Sequence, residues 1–334
     1  MAQQYANSQP AGYKNFVEKI AIVGAGGRIG KYITESLLKT GKHTVTAITR
    51  EDSTSDLPAG VLSKKVNYSN QESLVEALRD QDVLIITMNV MAPPDTQTKL
   101  IDAAATAGVP WVLPNEFGGD PLDKAISRDS LVGDMKAKFR NQIEQLGKSS
   151  WICVTCSFWY EFSLGGGPNR YGFDFKNRSL VLLDNGKTRI NTSTMPSVGR
   201  GVAALLSLKV LPDNEGDKSP TLISFKNKAL YISSFTINQE EMFESILRMT
   251  GEKRSDWTIS HTTAKEYFES GQELMKQGNM AGFCRLLYAR AFFPESNVNY
   301  GAVRGLHNNL LGLPQDDLDT FTKEAAEIWS QETY

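Results

Sequence analysis

The 334-residue chain has almost no excess charge, few cysteines and no long apolar run. Its 36 Lys plus Arg against 38 Asp plus Glu leave a net charge of −2, so no overall positive field draws nucleic acid or an anionic membrane. The longest mostly apolar run, Trp151 to Tyr160, is about half of what a membrane-spanning helix requires. No positively charged leader followed by an apolar core opens the sequence. The expectation is a cytoplasmic protein that binds neither nucleic acid nor membrane.

Three cysteines are too few for a disulfide framework, and an odd count fits a reducing compartment. Cys153 and Cys156 do spell Cys-x-x-Cys, but in a strand-like run residues three apart face opposite sides, which reads as two buried cysteines rather than a redox pair. His43, His261 and His307 are scattered with no helix-spaced pair, so no metal site is expected. No Gly-x-Ser-x-Gly elbow suggests a hydrolase. What remains, 40% hydrophobic and 22% charged residues with 27 Gly and 13 Pro, is the composition of an ordinary globular protein.

Residues 1–15 lack periodicity and read as a flexible tail. From there strands and helices alternate. Strands are expected at Ile20–Val23, Val45–Thr49, Val61–Val66, Val83–Ile86, Trp111–Leu113 and Trp151–Phe158. Between them lie helices carrying Ile29, Ile33 and Leu37; Leu74, Val75 and Leu78, opened by a Ser69-x-x-Glu72 capping box; Leu100, Ile101 and Ala104; and Leu131 to Leu146. This alternation predicts an α/β fold, a Rossmann-type doubly wound parallel sheet over residues 16–158. Residues 159–334 read mainly as a smaller, mostly helical substrate lobe, with segments near 188–208 and 229–233 as candidates to return to the sheet. Within it stand a hairpin-like Leu183-Asp184-Asn185-Gly186-Lys187, a Thr236-x-x-Gln239 cap, and a helical, apolar stretch through Tyr267, Leu286, Tyr288, Phe292 and Phe293 able to roof a pocket.

Gly24, Gly27 and Gly30 follow the first strand at the mouth of the first helix. A turn without Cβ atoms lets the backbone approach a pyrophosphate, whose charge the helix N-terminus stabilises. Arg50 ends the second strand where a carboxylate would select the ribose hydroxyl of NAD, and its guanidinium fork favours NADP. Arg28 and Lys31 add charge in the glycine loop. Gly26 and Ile29 of the same turn, with Thr87 and Asn115 after the fourth and fifth strands, complete the expected NADPH/NADP+ contacts.

The chain resembles the NmrA-like and isoflavone reductase-like branch of the atypical short-chain dehydrogenases. The resemblance rests on Gly24-x-x-Gly27-x-x-Gly30-Lys31, Thr49-Arg50-Glu51, Gln97-x-x-Leu100-Ile101-Asp102-Ala103-Ala104, Val112-Leu113-Pro114-Asn115-Glu116-Phe117-Gly118 and Lys136-x-x-Phe139-Arg140-x-x-Ile143-Glu144. It covers about residues 18–160 and, later, only Leu230 to Lys253. It implies an NADPH-dependent reductase of aromatic or conjugated small molecules, of the kind found in secondary metabolism, or alternatively a non-catalytic NADP(H)-sensing regulator acting through a protein partner. Asn115 stands where the reductases usually have serine, and Val66-Asn67 replaces their usual Gly-Asp. Tyr-x-x-x-Lys, the acid pair of ordinary short-chain dehydrogenases, does not occur.

In the reductases the lysine matching Lys136 is the acid/base. At about 100° per residue, Val132, Met135, Phe139, Ile143 and Leu146 form a stripe, with Lys136 roughly 60° from its centre and Lys138 roughly 100° away on the other side. Lys136 can therefore border a pocket. Phe158, Trp159, Tyr160 and Phe162, with Tyr171, Phe173 and Phe175, follow the sixth strand, where an open sheet places its crevice. The expected apolar or aromatic pocket is walled by Phe117, Phe158, Trp159, Tyr160, Phe162 and Tyr171. A homodimer is left open.

Overall fold

The computed structural model describes residues 4–89, 92, 93, 95–131 and 133–331. Its first half runs β1 (Lys19–Val23), α1 (Arg28–Lys39), β2 (Thr44–Arg50), β3 (Leu62–Val66), α2 (Gln71–Leu78), β4 (Val83–Ile86), α3 (Thr96–Ala107), β5 (Trp111–Leu113), β6 (Phe117–Gly118), α4 (Lys124–Asp129), α5 (Gly133–Leu146) and β7 (Ser150–Thr155). The second half runs β8 (Phe158–Trp159), α6 (Tyr160–Leu164), β9 (Phe173–Asp174), β10 (Ser179–Leu183), β11 (Ile190–Ser193), α7 (Met195–Leu206), β12 (Lys228–Tyr231), β13 (Phe235–Ile237), α8 (Gln239–Thr250), β14 (Thr258–Thr262), α9 (Ala264–Lys276), α10 (Ala281–Ala291), α11 (Tyr300–Arg304) and α12 (Leu318–Gln331).

The main sheet has the order β12-β7-β5-β4-β1-β2-β3, all parallel, with β6 also against β7. This is a doubly wound Rossmann-type sheet. Alternation along β1 divides the core, since Ile20 and Ile22 meet Ile33 and Leu37 of α1 and Val198 and Val202 of α7, whereas Ala21 and Val23 meet Leu100, Ile101, Phe139 and Ile143. Cys153 falls in the second core and Cys156 in the first, on opposite faces of the sheet. Strand order reverses between β1 and β4, which opens a crevice at the carboxyl ends of those strands.

Several local expectations shift. Residues 4–15, read as a free tail, lie along 209–213: the Ala6 N–H donates to Pro212 O at 2.9 Å, and Asn15 exchanges hydrogen bonds with Leu211. The cap of α2 is Asn70, not Ser69, because its side chain takes the N–H groups of Glu72 and Ser73. The cap of α8 is Asn238, boxed with Glu241, because Thr236 is spent in β13, where its hydroxyl accepts from Asn191 Nδ2 at 2.8 Å. Leu183 to Lys187 makes a turn but no hairpin, since β10 pairs with β9 and β14 while β11 pairs with β8 and β13. The sixth strand breaks at Thr155, because the N–H groups of Cys156 and Ser157 both turn to Gly118 O and Ser157 takes φ +57°.

That break redirects the chain into a third core, where Tyr160, Tyr171, Phe173, Phe243 and Phe292 are fully buried. Glu161 is buried beside it and accepts the Met195 N–H of α7. Burial, with Glu324 and Asp316 nearby, outweighs that hydrogen bond and pushes its carboxyl up to about 8. The folded state therefore holds this proton more tightly than the unfolded chain does. Stability from this group is present below the ordinary carboxyl range and is lost as pH rises towards 8. Thermal melts from pH 5 to 8 are expected to show the wild-type melting temperature falling by a few degrees more than that of Glu161→Gln, which keeps the neutral shape.

Candidate active site

The glycine turn is built for close backbone approach. Gly24 takes φ +81°, and a Cβ on it would lie 2.1 Å from Thr87 O; a Cβ on Gly30 would lie 1.9 Å from Gly24 O. The turn therefore closes only without side chains at both positions. Gly27 caps α1 with no side-chain hydrogen bond to its first turn, and Gly26, Gly27 and Arg28 are exposed. An uncapped helix N-terminus behind a cradle with no side chains fits a dinucleotide pyrophosphate.

The other expected cofactor residues divide into three groups. Arg50 ends β2 with its side chain 71% exposed and its Nε 3.7 Å from Asp52, free enough to turn to a phosphate. Tyr68, absent from the sequence reading, lies near it: burial pushes its hydroxyl up to about 12, opposed by the Arg50 charge. Lys31 lies 3.9 Å from Glu35 on the exposed side of α1, and Ile29 is a core residue whose side chain faces inward. Thr87 and Asn115 hold the turn's framework: the Thr87 hydroxyl donates to Val23 O at 2.8 Å, and the Asn115 amide brackets the backbone of Met88 through both its oxygen and its nitrogen. Their side chains are occupied in positioning the loop after β4.

Beyond the turn lies a cavity of about 260 Å³ between β6, α4, α5, β8 and α10. Phe117, Phe158, Trp159 and Phe162 line it, and Lys136 stands in the same wall. Tyr160 and Tyr171 do not. Their hydroxyls bond Thr322 and Thr192, at 2.8 and 2.9 Å, and their rings belong to the third core. Tyr288, read only as part of a roof, does line the cavity and stacks on Phe158 with centroids 4.0 Å apart.

The buried face of α5 also differs from the expected stripe. Phe139 and Ile143 are buried, but Met135 and Leu146 are exposed, and Val132 lies outside the described residues. The inward face is centred on Gly133, Lys136, Phe139, Arg140 and Ile143, which brings Lys136 into the wall more squarely than helix arithmetic allowed, while Lys138 faces solvent. Lys136 Nζ would be 4.0 Å from a Cβ on Gly118, so a small residue there leaves the ammonium room. One turn on, Arg140 pairs with the buried Glu116, and burial, opposed by Arg140 and Lys136, raises the Glu116 carboxyl. Among the described residues Lys136 itself makes no hydrogen bond or ion pair. Glu116 stood in the quoted motif, but nothing in its spacing marked it as part of the cavity wall.

Residues 17–164 match the NmrA-like family. Over that stretch, just under half of its length, the chain is similar to the NmrA-like and isoflavone reductase-like proteins. Oxidoreductase aprR of Aspergillus flavus is 26% identical over 307 residues, covering 90% of this chain and 96% of that protein. Isoflavone reductase homolog P3 of Arabidopsis thaliana is 36% identical over 137 residues, 38% of this chain and 42% of that one. In fold, the chain is similar to the solved structure of AtPrR2 with NADP+ and (+)pinoresinol, with a TM-score of 0.67 and 18% identity over 93% of this chain and 99% of that one. No described helix is long and apolar enough to cross a membrane.

Proposed function

We propose that the protein is an NADPH-dependent reductase of aromatic or conjugated small molecules, of the kind found in secondary metabolism, with Lys136 as its acid/base. One observation carries this reading: the Lys136 ammonium, unpaired among the described residues, stands in an aromatic-lined cavity whose Phe162 wall touches Arg28 of the glycine turn. The matched Aspergillus protein is named an oxidoreductase, and the solved AtPrR2 structure holds NADP+ and (+)pinoresinol.

Bound NADPH supplies the hydride. Reduction of a carbonyl or conjugated acceptor builds negative charge on its oxygen, and Lys136 stabilises that charge and donates the proton, its N–H bond breaking as the O–H bond forms. The Glu116–Arg140 pair is internally balanced, so its charges compete little with Lys136 for the substrate oxygen. Phe158, Trp159 and Phe162 orient a flat acceptor and keep water from the ammonium, which strengthens its field. A screen of conjugated ketones and phenolic compounds for substrate-dependent loss of NADPH absorbance tests the reading. Turnover of none of them would count against it.

Arg50 supplies the cofactor preference. A charge-assisted contact from an exposed guanidinium to the 2′-phosphate is worth about tenfold in affinity. Calorimetric titration of both cofactors is expected to show NADPH binding more tightly than NADH, with Arg50→Ala narrowing the gap by weakening NADPH alone.

A further inference from the structure

The cavity encloses about 260 Å³, less than the roughly 300–1,000 Å³ of pockets that hold drug-sized ligands, so a wall has to give way on binding. Most of its walls are held by ladders or cores. β6 pairs with β7 and β8 with β11. α5 sends Phe139 and Ile143 into the second core, and α10 sends Leu286, Tyr288, Ala289 and Ala291 into the third. α4 differs: none of its six residues is buried, although Ile126 and Ser127 line the cavity together with Ser130. An element without buried side chains opens at lower cost than its neighbours.

Two joints bound this element. Before it, Asp120 is buried and fixed, its carboxylate accepting from the Tyr231 hydroxyl at 2.9 Å and from Arg304 Nε at 3.1 Å. After it, Leu131 takes φ +63° while 61% exposed, a backbone conformation that a leucine rarely adopts. Between these joints one side-chain bond reaches another element among the described residues: Asp129 Oδ2 accepts from Arg290 Nε of α10 at 2.7 Å. Arg290 is buried over the Phe293 ring, and its Nη1 has no hydrogen-bond partner. Parting from Asp129 would let water reach the guanidinium, so satisfying Nη1 offsets part of the loss of the ion pair.

We propose that α4 is the door of the cavity and the Asp129–Arg290 pair its latch: α4 swings between Asp120 and Leu131, away from α10, to admit and release a flat apolar ligand. Gly133 permits the closed seat, since a Cβ there would lie 2.3 Å from Ser127 O. The door serves the cavity whatever its occupant, and it depends neither on Lys136 nor on the reductase reading.

The test treats the full chain with trypsin and follows cleavage of the bond between Lys124 and Ala125, at the start of α4, by mass spectrometry. In parallel, acrylamide quenching of Trp159 in the cavity wall is taken as the difference between each protein and the same protein carrying Trp159→Phe. Asp129→Ala is expected to speed that cleavage at least about tenfold, the factor equivalent to one charge-assisted hydrogen bond, and to raise the quenching of Trp159 at least about twofold. Gly133→Ala, which lifts α4 without touching the ion pair, should do the same and keeps the test decisive if Asp129→Ala folds poorly. Unchanged cleavage in both variants overturns the proposal. Faster cleavage with unchanged quenching of Trp159 also overturns it, because α4 then frays without uncovering the cavity. So does cleavage that rises equally at lysines and arginines throughout the chain in both variants, which would make the ion pair and the seat of α4 general supports of the fold.

Discussion

Lys136→Met is expected to lower kcat by about two orders of magnitude or more, with little change in KM or in NADPH affinity. Methionine keeps the length and apolar stem of lysine and removes the ammonium, so the inward face of α5 around Phe139 and Ile143 should pack as before. An interaction made only as charge develops on the acceptor lowers kcat without weakening the ground-state complex. Lys138→Met on the same helix faces solvent and serves as the control. Steady-state kinetics on any compound found by NADPH consumption decides the matter. Wild-type turnover by Lys136→Met would remove the lysine from the mechanism while leaving reductase activity standing. If no small molecule consumes NADPH and a protein partner binds according to the redox state of NADP, the chain acts as a regulator instead.

Lys136 also marks how far the sequence could be read. The alternation of β1 to β5 and β7 with helices was legible because each element carries its own period, and those periods are local, whereas the two-residue β6 and the short α4 are too brief to show one. The glycine turn was legible because φ +81° at Gly24 and the contact of Gly30 with Gly24 O exclude other residues. The inward face of α5 was only partly legible: Met135 and Leu146 fit the apolar stripe but are exposed, because neither core reaches the two ends of that face. Past Thr155 local pattern stops deciding. Tyr160 and Tyr171 look identical in sequence to pocket residues, and only their hydrogen bonds to Thr322 and Thr192, 162 and 21 residues away, make them core. Glu116 and Tyr288 enter the cavity for the same reason in reverse, through contacts whose partners are distant in the chain.

Gly27→Val is expected to abolish dinucleotide binding in a protein that still folds. The three neighbouring glycines cannot make this test. A Cβ at Gly24 or Gly30 meets backbone at 2.1 or 1.9 Å, and one at Gly26 meets Asp56 O at 2.3 Å, so a side chain at any of these would disturb the turn or the loop after β2. At Gly27 the added Cβ meets only Gly24 O, at 3.0 Å, and the backbone there is extended, with φ −73° and ψ 173°, which valine adopts readily. Valine's methyl groups would then project from the exposed cap of α1 into the space a pyrophosphate must occupy. Calorimetry with NADPH should lose at least about a hundredfold in affinity, equivalent to roughly 2.7 kcal/mol. The melting temperature without cofactor should stay within a few degrees of wild type, and added NADPH should no longer raise it, because a ligand that does not bind the folded state cannot stabilise it. Unchanged NADPH affinity at an unchanged melting temperature would mean that the glycines shape a turn and nothing more. Lost affinity together with a collapsed melting temperature would place the defect in the β1–α1 junction rather than in the space above it.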